Sequence, residues 1–149
     1  MTQEDKELLL KDLCARLPYG VKGIITYDKS NITFTVEGID NDVIHLSDAE
    51  DCYVEDFKPY LRPMSSMTEE ENEEFEELFI SYSISRDRNC VYHSSRGDLN
   101  LEIIDWLNAH HFDYRGLIDK GLALEAPKEM YIHFGDMKVT INVKYKGRF

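Results

Sequence analysis

The stretch Val21-Lys22-Gly23-Ile24-Ile25-Thr26-Tyr27-Asp28-Lys29-Ser30-Asn31-Ile32-Thr33-Phe34-Thr35-Val36-Glu37 decides the fold. Ile32, Phe34 and Val36 alternate with Thr33, Thr35 and Glu37, the period-two pattern of a strand with one buried face. Val21 to Tyr27 is also rich in β-branched and apolar residues, and Asp28-Lys29-Ser30-Asn31 reads as the turn joining the two strands. Gly38 and Asp40-Asn41 make a second turn before Val43-Ile44-His45-Leu46, so the expected unit is a three-stranded antiparallel meander. A sheet of this size needs a lid over its apolar face.

A lid is available upstream. Thr2 and Asp5 have the spacing of a capping box, and Leu9, Leu10, Leu13, Cys14 and Leu17 recur at helical intervals, which predicts a helix over Gln3 to Arg16. Pro18-Tyr19-Gly20 stops it. Downstream of the meander, Tyr53 and Val54 suggest a short strand, and Phe57-Lys58-Pro59-Tyr60-Leu61-Arg62-Pro63 reads as an ordered connector pinned by its aromatic residues. Thr68-Glu69-Glu70-Glu71 is a second capping box with an acidic first turn that suits the helix dipole. Phe75, Leu78, Phe79 and Tyr82 then form one apolar stripe on an otherwise acidic helix.

Ser81 to Gly97 lacks a clear period and reads as a loop. Asp98 can cap a third helix carrying Leu99, Ile103, Trp106, Leu107 and His110 on one face. His110-His111-Phe112 breaks that helix. Asp113 then caps a short fourth helix through about Lys120, closed by Gly121 and Leu122, so this region is expected to form a helical hairpin ending at Pro127. Met130 to Phe134 and Lys138 to Tyr145 flank Gly135-Asp136-Met137 as a C-terminal β-hairpin with a basic tail. The predicted class is α+β, because no strand-helix-strand crossover recurs. At 149 residues the chain has the length of one domain, residues 1–149, able to bury roughly 68–70% of its unfolded surface; two lobes, 1–63 and 68–149, are the alternative layout.

The net charge of −12 is concentrated. Between Glu37 and Glu77 stand fifteen acidic residues against only Lys58 and Arg62, so this region carries the whole negative excess. Nonspecific nucleic-acid binding requires cationic neutralisation of phosphates, which disfavours direct DNA or RNA binding and favours a basic protein partner. No run approaches the ~20 apolar residues of a membrane span, and Met1 to Lys6 lacks the order of a secretory signal, so a cytoplasmic setting is expected. Cys14, Cys52 and Cys90 are odd in number and share no short spacing, which points to reduced, mostly buried thiols.

The chemical motifs are mostly negative. Glycine-rich phosphate loops, the serine-hydrolase elbow and the His-Glu-x-x-His helix are absent, and Asp40-Asn41-Asp42 lacks the glycine and glutamate of a calcium loop. No cofactor is assigned. One candidate site remains around the turn His110, His111, Asp113, Tyr114 and Arg115, either as a ligand pocket or as a metal site that also draws on Asp105, Cys90 and His93. Cys90 with His93 or His111 has the residue types of a nucleophile and base. Against these stands packing: one buried and one exposed histidine at a helix end. The other candidate is an interaction surface of Glu69, Glu70, Glu73, Glu74 and Glu77, against which stands the plain solvated face of a surface helix.

Three blocks, Lys11 to Val21, Lys58 to Glu71 and Trp106 to Pro127, resemble a group of small proteins from gut Bacteroidota and their phages or mobile elements. That group carries no assigned activity, so the resemblance implies a bacterial or phage cytoplasmic setting and transfers no catalytic residue. The sequence therefore favours a nonenzymatic interaction or accessory protein that offers an acidic surface to a basic partner, in its sharpest form a nucleic-acid mimic. The alternative is a small enzyme or metal/ligand-binding protein centred on the His-His-Phe-Asp turn.

Overall fold

The computed structural model describes residues 1–82 and 101–131. The expected loop around Tyr92, the Asp98 cap, Cys90, His93 and the terminal hairpin beyond Tyr131 lie outside these residues.

Helix α1 spans Gln3–Arg16, and the Thr2 hydroxyl accepts the Asp5 N–H at 3.0 Å, as the capping spacing predicts. Its buried face is Leu9, Asp12, Leu13 and Arg16, rotated away from the expected stripe through Cys14. Cys14 is exposed, which corrects the expectation of buried thiols; Cys52 is buried. A one-turn 3₁₀ segment, Leu17–Tyr19, follows, and Gly20 at φ +71° turns the chain into the sheet.

The strands are β1 (Lys22–Ile25), β2 (Phe34–Asp40), β3 (Val43–Leu46), β4 (Cys52–Tyr53), β5 (Phe57–Leu61) and β6 (Leu124–Glu125). They lie in the spatial order β4-β3-β2-β1-β5-β6, antiparallel except for the β5–β6 pair. The three-stranded meander is present as β1, β2 and β3, with Asn41 at φ +57° in its second turn. Its first connection is longer than expected. Residues 26–33 form a loop in which the Asp28 carboxylate accepts the Ser30 N–H at 3.0 Å, so Ile32 lies outside the strand and is 52% exposed.

The segment expected to be a connector is strand β5. Phe57, Pro59 and Leu61 point into the core and alternate with half-buried Lys58 and Tyr60, the same period-two signal that identified β2. Proline cannot donate to a ladder, which obscures the pattern in the sequence. Beyond the Gly23–Pro59 pair the two strands are bridged by the Tyr131 hydroxyl, which accepts the Lys22 N–H at 2.9 Å and donates to the Tyr60 carbonyl at 2.8 Å. At the pair itself a Cβ on Gly23 would fall within 3.0 Å of the Lys58 carbonyl oxygen, the Phe57 ring and the Pro59 Cα. Only glycine allows β1 and β5 to approach this closely.

Helix α2 spans Glu69–Tyr82 and α3 spans Leu101–Ala109. The expected helical hairpin is not formed. Residues 113–121 make turns rather than a fourth helix, because Gly116 at φ +76° interrupts helical geometry three residues after Asp113. The expected closure at Gly121 is nonetheless present: Gly121 sits at φ +76°, its N–H bonds Ile118 O at 3.0 Å, and the Leu122 N–H bonds Leu117 O at 2.9 Å. This is the Schellman pattern. The chain then enters β6 beside β5, a strand not expected from the sequence, and Met130 and Tyr131 lie in a turn rather than a strand.

Two apolar clusters result. The larger packs Leu9 and Leu13 of α1 on Val21, Val36, Ile44, Phe57 and Leu61, and draws Leu117, Leu122 and Ala123 from the far end of the chain. The smaller joins Phe75 of α2 to Ile103 and Leu107 of α3 and to Phe112 and Tyr114. Among the described residues no helix is long and apolar enough to cross a membrane.

Two outcomes follow from this packing. Gly23→Ala forces β1 from β5 against backbone atoms and is expected to cost at the upper end of about 1–3 kcal/mol in urea unfolding; a loss below about 0.5 kcal/mol would contradict the close approach. Burial, together with the charges of Asp56 and Asp51, pushes the Cys52 thiol up to about 11. In a Cys90→Ser background at about pH 8, a disulfide reagent is expected to label Cys14 quickly and Cys52 only on unfolding. Equal labelling of both would be the contrary result.

Candidate functional site

The acidic helix is built from its first turn outward. The Glu71 N–H bonds the Thr68 hydroxyl at 3.1 Å and the Thr68 N–H bonds a Glu71 carboxylate oxygen at 3.0 Å, so the box read from the sequence is closed in both directions. Glu71 has a second task. Its two oxygens accept both terminal nitrogens of Arg62, at 2.7 and 2.9 Å, in the two-pronged geometry that guanidinium and carboxylate favour. Arg62 in turn lies 4.2 Å from the centroid of the Phe112 ring and donates to the His110 carbonyl at 3.4 Å. Its backbone is fixed as well, its N–H bonding His111 O at 2.8 Å and its carbonyl accepting the Asp113 N–H at 2.8 Å. One residue at the end of β5 thus ties α2 to the turn after α3.

Phe75 is fully buried and sets the orientation of α2. With Phe75 and Glu71 turned inward, Glu69, Glu70, Glu73, Glu74 and Glu77 are all exposed. The Trp106 indole N–H donates to Glu74 at 3.1 Å, whereas among the described residues no side chain pairs with Glu69, Glu70, Glu73 or Glu77. Glu69 and Glu73 border a shallow depression together with Asn72 and Glu76. Elsewhere the acidic charge is partly answered: Lys6 lies 3.6 Å from Asp42 and 3.5 Å from Glu55, and His45 lies 2.9 Å from Asp51. Glu69, Glu70, Glu73 and Glu77 on the outer face of α2 have no such partner among the described residues.

The His-His-Phe-Asp turn has a different character. Helix α3 ends in its own Schellman motif, with the His111 N–H on Asn108 O at 3.1 Å and the Phe112 N–H on Leu107 O at 3.0 Å. His111 occupies the left-handed position, φ +63°, where glycine is usual. Its buried ring stacks on Tyr131 with centroids 3.7 Å apart. His110 goes the other way. Its ring stacks on Trp106 at 4.1 Å and its Nδ1 lies 2.9 Å from the Trp106 carbonyl; because a carbonyl only accepts, Nδ1 carries the proton.

The remaining three residues are also engaged. Asp113 accepts the Leu117 and Ile118 N–H groups at 2.8 and 2.9 Å. The Tyr114 hydroxyl donates to Asn108 at 2.9 Å, and burial pushes this phenol above its ordinary range against the pull of Arg115 and Arg16. Arg115 donates to Asp12 at 2.9 Å. Among the described residues, His110 and His111 turn to Trp106 and Tyr131, Asp113 turns to backbone N–H groups, and Tyr114 and Arg115 meet each other beside Asp12. Asp105 is exposed, and among the described residues no three histidine, cysteine or acidic side chains group closely enough to hold a metal ion.

Sequence reasoning missed the groups that receive this turn. Asp12 and Arg16 are both 0% exposed, and Arg16 bonds Asp12 at 2.8 and 3.1 Å and the Phe112 carbonyl at 2.6 Å. The available signal was their i, i+4 spacing on the same helical face as Leu9 and Leu13. Comparison with protein-family models, curated proteins and solved structures found no match.

Acid should loosen the first of these clamps. Burial raises the Glu71 pKa, but hydrogen bonds from Arg62 and the Thr68 N–H, with the charges of Arg62 and His110, outweigh it and leave the group below its ordinary 4.5. A depressed folded-state pKa stabilises the fold above the unfolded value, and that contribution is lost as pH falls through the folded value. The stability gap between the native chain and Glu71→Gln is therefore expected to be full at neutral pH and to shrink below about pH 4.5 in urea titrations. A gap that widens on acidification would overturn this assignment.

Proposed function

We propose that this protein is a nonenzymatic interaction protein whose α2 helix presents an acidic face to a basic protein partner. The observation that carries the reading is the exposure of Glu69, Glu70, Glu73 and Glu77, unpaired among the described residues, on a helix held at its first turn by Arg62 and at its centre by Phe75. Glu74 stands beside them with one oxygen on Trp106.

Exposed carboxylates on a fixed helix keep their hydration until a partner arrives, so they cost the free protein little. Their summed field steers a cationic surface toward the helix and raises the association rate more than the final affinity. A rigid row of carboxylates also offers the regularly spaced negative charge that phosphate-binding surfaces recognise. This supports the sharper form of the proposal, a nucleic-acid mimic that occupies the binding face of a DNA- or RNA-binding protein. The His110 to Arg115 side chains serve this function by holding the scaffold.

The test is capture of partners from the native host on the full chain, beside a variant with Glu69, Glu70, Glu73 and Glu77 changed to Gln. The captured protein is expected to be basic, and its association with the variant to be roughly tenfold slower or more at low salt. The native complex should also weaken steeply as salt rises. A partner held equally well by the variant, in a complex indifferent to salt, would refute the acidic surface. For the mimic, the chain should displace nucleic acid from its partner.

A further inference from the structure

We draw no further inference here: the strongest candidate, the exposed Tyr27 and Ile32 side chains on the loop between β1 and β2, carries nothing because nothing in the structure shows what covers them.

Discussion

The Asp12 carboxylate, fully buried on α1, accepts Arg16 of its own helix and Arg115 from the far end of the chain. Two guanidiniums and a carboxylate withdrawn from water each carry a desolvation cost of several kcal/mol, which their attraction offsets only when geometry and additional hydrogen bonds are good. Here the geometry is good, and the hydrogen bonding is met in part: among the described residues the buried Arg16 Nη1 has no hydrogen-bond partner. Arg16 meets Asp12 through two nitrogens and bonds the Phe112 carbonyl, and the faces of both guanidiniums lie about 5 Å from the Tyr114 ring centroid. Such a cluster adds little net stability compared with apolar packing, but it tolerates few alternative arrangements. It fixes where the chain after α3 returns to α1, and through that return it places Leu117, Leu122 and β6 on the sheet.

A second clamp works on the other side of the same turn. Arg62 leaves β5 and holds the α2 cap through Glu71, while its backbone bonds His111 and Asp113. Its side chain is 19% exposed, so this pair is neither fully desolvated nor screened as a surface pair would be. The segment His110 to Arg115 is therefore gripped twice, from α1 and from β5. The inward residues of α2 are committed to the clamp and to the Phe75 contacts, and the proposed interaction surface rests on Glu69, Glu70, Glu73 and Glu77, which are exposed and make no side-chain pair among the described residues.

Local rules carried the reading of the sequence well wherever the physics was local. The Thr2 cap, the bounds of α1, the Thr68 and Glu71 box, strand β3 and the Gly121 closure all rest on neighbours within a few residues. The errors have a common origin in tertiary context. Pro59 masked a strand whose next residue, Tyr60, has its carbonyl bonded by a tyrosine hydroxyl seventy-one residues later in the chain. Gly116 prevented a helix that Asp113 was well placed to start. Asp12 and Arg16 look like an ordinary surface pair until Arg115, one hundred and three residues from Asp12, is brought against them. For the candidate site, the residue types at the His-His-Phe-Asp turn were legible and the directions of their side chains were not, because direction is set by packing partners that spacing does not name.

The chemical groups after α3 act as a latch on α1. A double-mutant cycle in urea unfolding with Asp12→Ala, Arg115→Ala and both together tests it most directly. Asp12→Ala alone should cost about 3–5 kcal/mol, because it leaves two buried guanidiniums without their carboxylate. The two changes together should fall short of additivity by about 1–3 kcal/mol. Additivity within about 0.5 kcal/mol would show that Asp12 and Arg115 do not act as one unit and would contradict the latch.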